Sequence, residues 1–575
     1  MDIYTWAILV SVLVYIAVGN YAGRRVKHLD DYFVAGRRAP TLLIIGTLIA
    51  SMLSTNAFLG ETGFVYDGQA GPYLLWPPIS AMGYVYGALF FGRYLRRSRA
   101  LTVADYFGKR FNSRRVQAAA GVTIILGLGG YLLAVTQGAA VLLSELTPLS
   151  YFQSLFVSWV SYTLFTMYSG SRGVVLTDTL MFLLFSSMTV AALLYMLDNQ
   201  GGWVATVQDL SLIREKAGLM SWHGIIGGAT PWQTVADYVA WGLIIGIGWS
   251  LVYAVSPWQS SRYLIARNEH TVMRAACLAT LIIATLQLTL YLASASVNLS
   301  KLDISPPEEA MIWAAKNLLP ELMGALLLAG IMAAALSSAS TFLSLVGFSV
   351  SNDVVNREHV EEKRMLRLSR WTMLVVGSVV LAISFFVPPS IFWLTYFVGT
   401  LFASSWAPVA LLSVWSRRIT ANAAFWGIIS GFVFNAVPKA LEFFNIISLS
   451  AWADPILLGG LVSLVVVLLL SRRSGVSAEE EAYRQGLHVI PNEETNPGKL
   501  RLTLATSAAL VVYGVFMSVV LITIYVRPYQ EATGRLLPDG SLDWATGEAI
   551  LALGWAILIV PMGLLAWKVI KKSYA

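Results

Sequence analysis

Apolar runs of about 20 residues recur along the whole chain, and nothing in the sequence restricts its fold more. They lie near 3–22, 40–60, 72–92, 116–146, 150–167, 173–197, 235–261, 275–298, 321–350, 371–387, 390–415, 421–438, 453–471, 502–526 and 545–567. A run of this kind satisfies its backbone in hydrocarbon only as a helix or in a closed barrel, and runs this long read as helices. The 575 residues are 57% hydrophobic and 12% charged, about half the charge of a soluble chain. The expected class is therefore an all-α membrane protein crossing the bilayer fifteen times. Cations test that count. With the N-terminus outside, 32 of the 39 Lys and Arg residues fall in segments on the cytoplasmic side, leaving Arg214, Lys216, Lys301, Lys316, Lys439, Arg527 and Arg535 outside. The C-terminus is then cytoplasmic. The cations of "MDIYTWAILVSVLVYIAVGNYAGRRVK" follow its apolar run, the reverse of a cleavable signal peptide, so the first helix is expected to be retained in a cell (inner) membrane.

The net charge of +7 follows from these loops and does not point to nucleic acid. The lone cysteine, Cys277, rules out a disulfide framework. His28, His223, His270, His359 and His488 sit in loops or at span ends, and no His/Cys/carboxylate cluster has metal-ligand spacing. With no soluble catalytic domain either, an enzyme is the least favoured class. Two loops are long enough to hold structure. Residues 198–234 read as a lid or interfacial helix. Residues 472–501 read as a charged, flexible linker that offers a surface to a regulatory partner.

Three stretches depart from plain membrane helix. In "GTLIASMLSTNAFLG" (46–60), Ser51, Ser54, Thr55 and Asn56 dilute the apolar residues; in "WGLIIGIGWSLVYAVSP" (241–257), Gly246, Gly248, Ser250 and Pro257 do. These segments are five spans apart, as two unwound helices of an inverted repeat would be. The plainer alternative is that small residues only let helices pack closely. In "GIMAAALSSASTFLSLVGFS" (330–349), Ala334, Ser337, Ser338 and Thr341 share one helical face, and Ser337, Ser340 and Thr341 form a second set. Hydroxyls and free carbonyls suit a hard cation such as sodium, and a packing seam is the competing explanation. Asp178, about two turns inside "GSRGVVLTDTLMF", is expensive in hydrocarbon and would complete a second cation site with those hydroxyls. Otherwise it reaches water from near a helix end.

In order, "LDDYFVAGRRAP", "LTVADYFGKRF", "GVVLTDTLMF", "WSLVYAVSPWQSSRYLIA" and "GIMAAALSSAST" resemble the sodium:solute symporters over roughly residues 1–475. The resemblance implies a leucine-transporter-type inverted repeat of five plus five helices, with one extra N-terminal and about four C-terminal helices. It implies a first sodium site from the Ala50 and Leu53 carbonyls, the Ala334 carbonyl and the Ser337 and Ser338 hydroxyls. A second sodium set, Asp178 with Ser337, Ser340 and Thr341, resembles that of bacterial sialic acid transporters in the family. Trp249, Tyr253, Pro257 and Arg262, with Tyr131, resemble the proline branch. Met52 and Asn56 depart from that branch, no lysine matches the sugar branch, and no arginine is placed to clamp a sugar acid.

The expected division is an extra helix and loop at 1–39, a transport core at 40–415, two peripheral helices at 416–475, a linker at 476–501 and two last helices at 502–575. Asn56, Trp76, Tyr131, Gln137, Trp249, Tyr253 and Thr400 form the candidate solute pocket. Aromatic faces with few charges suit a small zwitterion, a betaine-like quaternary amine or a short organic acid rather than a sugar. The expected activity is sodium-coupled import by alternating access, and the partners are sodium, a small solute and lipid. A proton-coupled symporter and a transporter-shaped solute sensor remain as alternatives.

Overall fold

Helices account for all the apolar runs in the computed structural model, which describes residues 2–574 apart from 229, 231, 356–360, 390, 445 and 474. His359 thus lies outside the described residues. The principal helices are α1 (Ile3–Gly23), α2 (Thr41–Ala50), α3 (Asn56–Leu75), α4 (Pro77–Ser98), α5 (Arg114–Leu146), α6 (Tyr151–Asn199), α7 (Val235–Val255), α8 (Pro257–Ile265) and α9 (Glu269–Leu299). There follow α10 (Glu321–Val355), α11 (Glu362–Ser384), α12 (Ile391–Trp415), α13 (Ala421–Phe443), α14 (Pro455–Leu470), α15 (Ala478–His488), α16 (Pro497–Thr533) and α17 (Gly547–Tyr574). Local chemistry sets several starts. Ser150 with Gln153 and Thr234 with Asp237 close reciprocal capping boxes, and Asn268 accepts from the Thr271 N–H.

Among the described residues, eleven helices are long and apolar enough to cross a membrane, and α3 with α4, bent by 52°, passes as a pair. The sequence count of fifteen differs for physical reasons. α2 and α3 are the two parts of one interrupted run. α14 is short, at 16 residues. The runs at 150–167 and 173–197 share α6, which turns at Gly170 (φ 54°, ψ −150°), where a Cβ would stand 2.6 Å from the Tyr32 carbonyl oxygen. Only glycine fits that backbone so closely.

α10 is the central element. Of its most apolar stretch 83% is buried, against 17% for α1 and 28% for α11 and α13. It packs on α6, α5 and α1, while α16 and α17 pair at the periphery. Gly246 and Gly248 do not unwind α7, contrary to the sequence expectation. They lie within regular helix and admit Ile79 and Ile456, so for them the packing explanation holds. The chain breaks at the end of the same stretch, at Ser256 before the expected Pro257, where a ψ of 146° separates α7 from α8.

The 472–501 segment is not the loose linker expected. Ser477 caps α15 in a capping box, and Glu480, Arg484 and Leu487 are buried. Arg110 binds the Glu480 carbonyl at 3.2 Å, His488 meets the Val414 carbonyl at 3.0 Å, and His270 meets that of Glu494 at 2.8 Å. Its polar groups thus dock on the core of the same chain.

Candidate functional site

The chain unwinds between α2 and α3. Ser54 N–H turns to the Met52 carbonyl (3.0 Å), and Ala57 and Phe58 N–H turn to that of Ser54 (3.1 and 3.3 Å). The Ala50 and Leu53 carbonyls are thereby left out of the helical ladder, and such oxygens seek a partner. α10 faces them. The Ser338 hydroxyl donates to the Ala50 carbonyl at 3.4 Å, and Ser337, one residue earlier, donates to Asp178 Oδ1 at 2.7 Å. All four hydroxyl residues, Ser337, Ser338, Ser340 and Thr341, are fully buried. The second break lies beside the first. Gln259 of α8 donates to Ser51 Oγ at 3.2 Å, and Tyr84 bridges Gln259 and the Leu48 carbonyl at 3.1 and 3.3 Å.

Asp178 is buried, as expected, but its company was not foreseen. Thr47 donates to Oδ2 at 2.5 Å, and the Arg262 guanidinium stands 3.6 Å from the same oxygen while binding Thr341 Oγ1. The sequence marked Arg262 only through its resemblance to the proline branch. It lies on α8, which carries it to the carboxylate, and is 3% exposed. Ser340 donates to the Ser337 carbonyl at 2.8 Å. Asp178, Ser337 and Thr341 are thus brought together with a cation of the protein's own among them.

A cavity of about 60 Å³ opens next to the first break. Asn56, Trp76, Tyr131, Trp249 and Tyr253 line it, as the sequence indicated. Trp76 stacks on Tyr238 with centroids 5.5 Å apart. Tyr131 stacks on Phe342 of α10 at 4.3 Å, which joins the cavity wall to the hydroxyl-bearing helix. Gln137 and Thr400 lie outside the lining. The Gln137 amide donates to the Val387 carbonyl at 2.7 Å, and the Thr400 hydroxyl donates to its own helix at Phe397. Sequence reasoning missed Glu61, Gln287 and Tyr291, which also line the cavity. Glu61 carried a usable signal, a carboxylate beside an apolar run, but lay one residue past the assigned end.

Rings close the cavity toward the 200–234 loop. Phe64 stacks on Phe392 at 4.8 Å, and Trp241 lies 4.7 Å from Trp232 and 4.9 Å from Trp76. In that loop, Lys216 donates to the Tyr66 carbonyl at 2.7 Å, and burial lowers its ammonium to about 8.

Residues 32–431 match the sodium:solute symporter family. The sodium/pantothenate symporter of Escherichia coli (strain K12) is 26% identical over 76% of this chain and 90% of its own length. The sodium/proline symporter of the same organism is 24% identical over 84% and 96%. A sodium-coupled sialic acid symporter, solved substrate-bound and outward-open, shares the fold with a TM-score of 0.68 at 16% identity, over 83% of this chain and 99% of that one. With a family match across most of its length, the chain belongs to the sodium:solute symporter family, whose members are transporters rather than enzymes.

Proposed function

We propose that this chain imports a small organic solute together with sodium by alternating access, binding the ion between the first helix break and α10. The observation that carries the reading is the pair of ladder-free carbonyls, Ala50 and Leu53, the first of them 3.4 Å from the Ser338 hydroxyl of α10. Carbonyl and hydroxyl oxygens are the ligands a hard monovalent cation prefers, and α10 supplies them without a formal charge. The Ala334 carbonyl, one turn before Ser338, is the fifth member. The aromatic cavity beside Leu53 takes the solute, an amino acid, a betaine-like compound or a short organic acid.

In this reading residues 40–415 are a ten-helix core of two inverted five-helix repeats. The extra helix α1 precedes them, four helices follow, the N-terminus is outside in a bacterial inner membrane, and the C-terminus is cytoplasmic. Support comes from the two breaks, α2/α3 and α7/α8, five spans apart and hydrogen-bonded through Ser51 and Gln259. One sodium per cycle is the reading we favour, because Arg262 already neutralises Asp178. A second ion at Asp178, Ser337, Ser340 and Thr341 requires the guanidinium to leave.

The test is uptake into proteoliposomes under an imposed sodium gradient, with a panel of amino acids, betaines and organic acids. Accumulation that needs sodium and shows counterflow supports the proposal. Accumulation driven by a pH gradient in the absence of sodium would replace it with proton coupling. Sodium-dependent binding without counterflow would make the protein a sensor.

A further inference from the structure

The cavity is one-sided in its hydrogen bonding. Glu61 is the only ionisable acid or base of the Asp, Glu, Lys and Arg type in its lining, and no cation pairs with it among the described residues. Both of its oxygens accept. Asn56 Nδ2 donates to Oε1 at 2.9 Å, and the Tyr291 hydroxyl donates to Oε2. A carboxylate at this place accepts both contacts, and in that form it orients everything around it. Because Asn56 must present its nitrogen to Glu61, its Oδ1 is turned away. Because the Tyr291 hydrogen goes to Glu61, the Tyr291 oxygen accepts from Gln287 Nε2 at 3.3 Å, and Gln287 Oε1 is turned away in its turn. Both amide oxygens are buried without a hydrogen-bond partner. The amide assignments follow from the carboxylate at the centre of the network, so the free ends are acceptors.

From this polarity we infer that the solute carries a protonated primary or secondary amine whose N–H groups answer Glu61, Asn56 Oδ1 and Gln287 Oε1. This rests on the cavity being the solute site. An ammonium offers up to three donors and a positive charge to a pocket that holds acceptors, one negative charge and aromatic faces. A quaternary amine supplies the charge but no donor, leaving the buried oxygens unpaired. An anion meets Glu61 with the wrong sign and finds no Lys or Arg in the lining. Trp249 and Tyr253 supply ring faces for the cation.

The experiment is calorimetric titration of the full chain in nanodiscs in sodium buffer, with probes paired so that only N–H is exchanged for N–CH3. The pairs are ethanolamine against choline and glycine against glycine betaine, and propionate serves as the anion. The expected result is that the N–H member binds more tightly in each pair that binds, that propionate is silent, and that Glu61→Gln weakens the N–H probe at least tenfold. The sodium-only thermal shift should stay unchanged in that variant. Choline, betaine or propionate binding as tightly as the N–H probes, with sodium dependence intact, would overturn the inference and spare the symporter reading. The wild-type order alone decides this if Glu61→Gln fails to fold. Silence from every probe, in protein that still responds to sodium, would remove the cavity as the solute site and the inference with it.

Discussion

Replacing Arg262 by Gln tests how Asp178 is neutralised. The two side chains are 3% and 0% exposed, and Arg262 also donates to Thr341, so the substitution leaves a buried carboxylate with only its hydroxyl partners Thr47 and Ser337. Removing one partner of a buried ion pair costs about 3–5 kcal/mol. A 575-residue chain melting as a unit has an unfolding entropy of about 1.2 kcal/mol/K, so the midpoint should fall by about 3–4 °C in potassium buffer. Sodium then becomes the available cation. An ion bound by Asp178, Ser337 and Thr341 at a hundred times its dissociation constant returns about 2.7 kcal/mol, most of the loss. Arg262→Gln should therefore show a sodium-dependent rise in melting temperature well beyond that of the wild type, and its uptake should depend more steeply on sodium. Asp178→Asn combined with Arg262→Gln removes both charges and should melt near the wild type without the added sodium response. Differential scanning fluorimetry across a sodium–potassium series reads all three proteins. If Arg262→Gln melts within 1 °C of wild type in potassium and gains no response to sodium, Arg262 is not the counter-ion. The preference for one sodium per cycle then goes with it.

Ser338→Ala should raise the sodium concentration for half-maximal uptake by roughly tenfold or more, the value of a hydrogen-bonding ligand to a charge, with little change in melting. Ser337→Ala should do the same and also destabilise the fold, because it strips a donor from Asp178; equal sodium curves for both variants and wild type would leave only a packing seam. Trp249→Ala should weaken solute binding at least tenfold while sodium-induced stabilisation stays intact, and parallel loss of both in calorimetry would place Trp249 outside a dedicated solute wall. Gly83→Ala puts a methyl 2.0 Å from the Ser250 carbonyl oxygen and should lower stability by about 1–3 kcal/mol through parting α4 from α7. A melting point equal to wild type would show that the contact yields freely.

The membrane class was legible because apolar length is a strong signal, and so was the first break, because Ser51, Ser54 and Asn56 stand where lipid-facing helix would not tolerate them. The second break was read within 241–257, and it falls at the Ser256–Pro257 end of that stretch rather than at Gly246 or Gly248, since a glycine that unwinds a helix and one that admits Ile79 look alike in sequence. Asp178 stood out as a carboxylate in an apolar run. Arg262 was noted only through the proline-branch resemblance, because it falls one residue past the apolar run at 235–261, whereas α8 is buried by neighbouring protein and needs no apolar surface. Glu61 was lost for the same reason. The apolar run ends at Gly60, but α3 continues to Leu75 among other helices, where burial replaces hydrophobicity as the condition for lying at membrane depth. α15 escaped notice because Glu481 pairs with Arg484 within it, the Glu480 carboxylate accepts from the start of α13 and Arg110 donates to the Glu480 carbonyl, contacts that charge content alone cannot reveal.

Leu53 shows why ion and solute would act together in the proposed mechanism. Its carbonyl belongs to the proposed ion set, and the same residue lines the cavity. No relay of intermediate residues is then required, because a change in the 51–54 backbone alters both sites at once. Ser338 from α10 and Gln259 from α8 grip this segment from two directions, so moving the two halves of the core apart releases both contacts. Under the proposed mechanism, sodium bound to Ala50 and Leu53 would favour whichever arrangement keeps α10 against the break. It can favour that arrangement only by its difference in affinity between the two states. A coupling of about 1–3 kcal/mol, or roughly 5–150-fold, is typical of such linked sites, and it must appear equally in the effect of solute on sodium affinity. The membrane potential adds about 2.3 kcal/mol per charge for each 100 mV. A solute that is itself a net cation doubles that contribution for every sodium it accompanies, so an amine substrate without a carboxylate and one sodium together move as much charge as two sodium ions with a neutral solute.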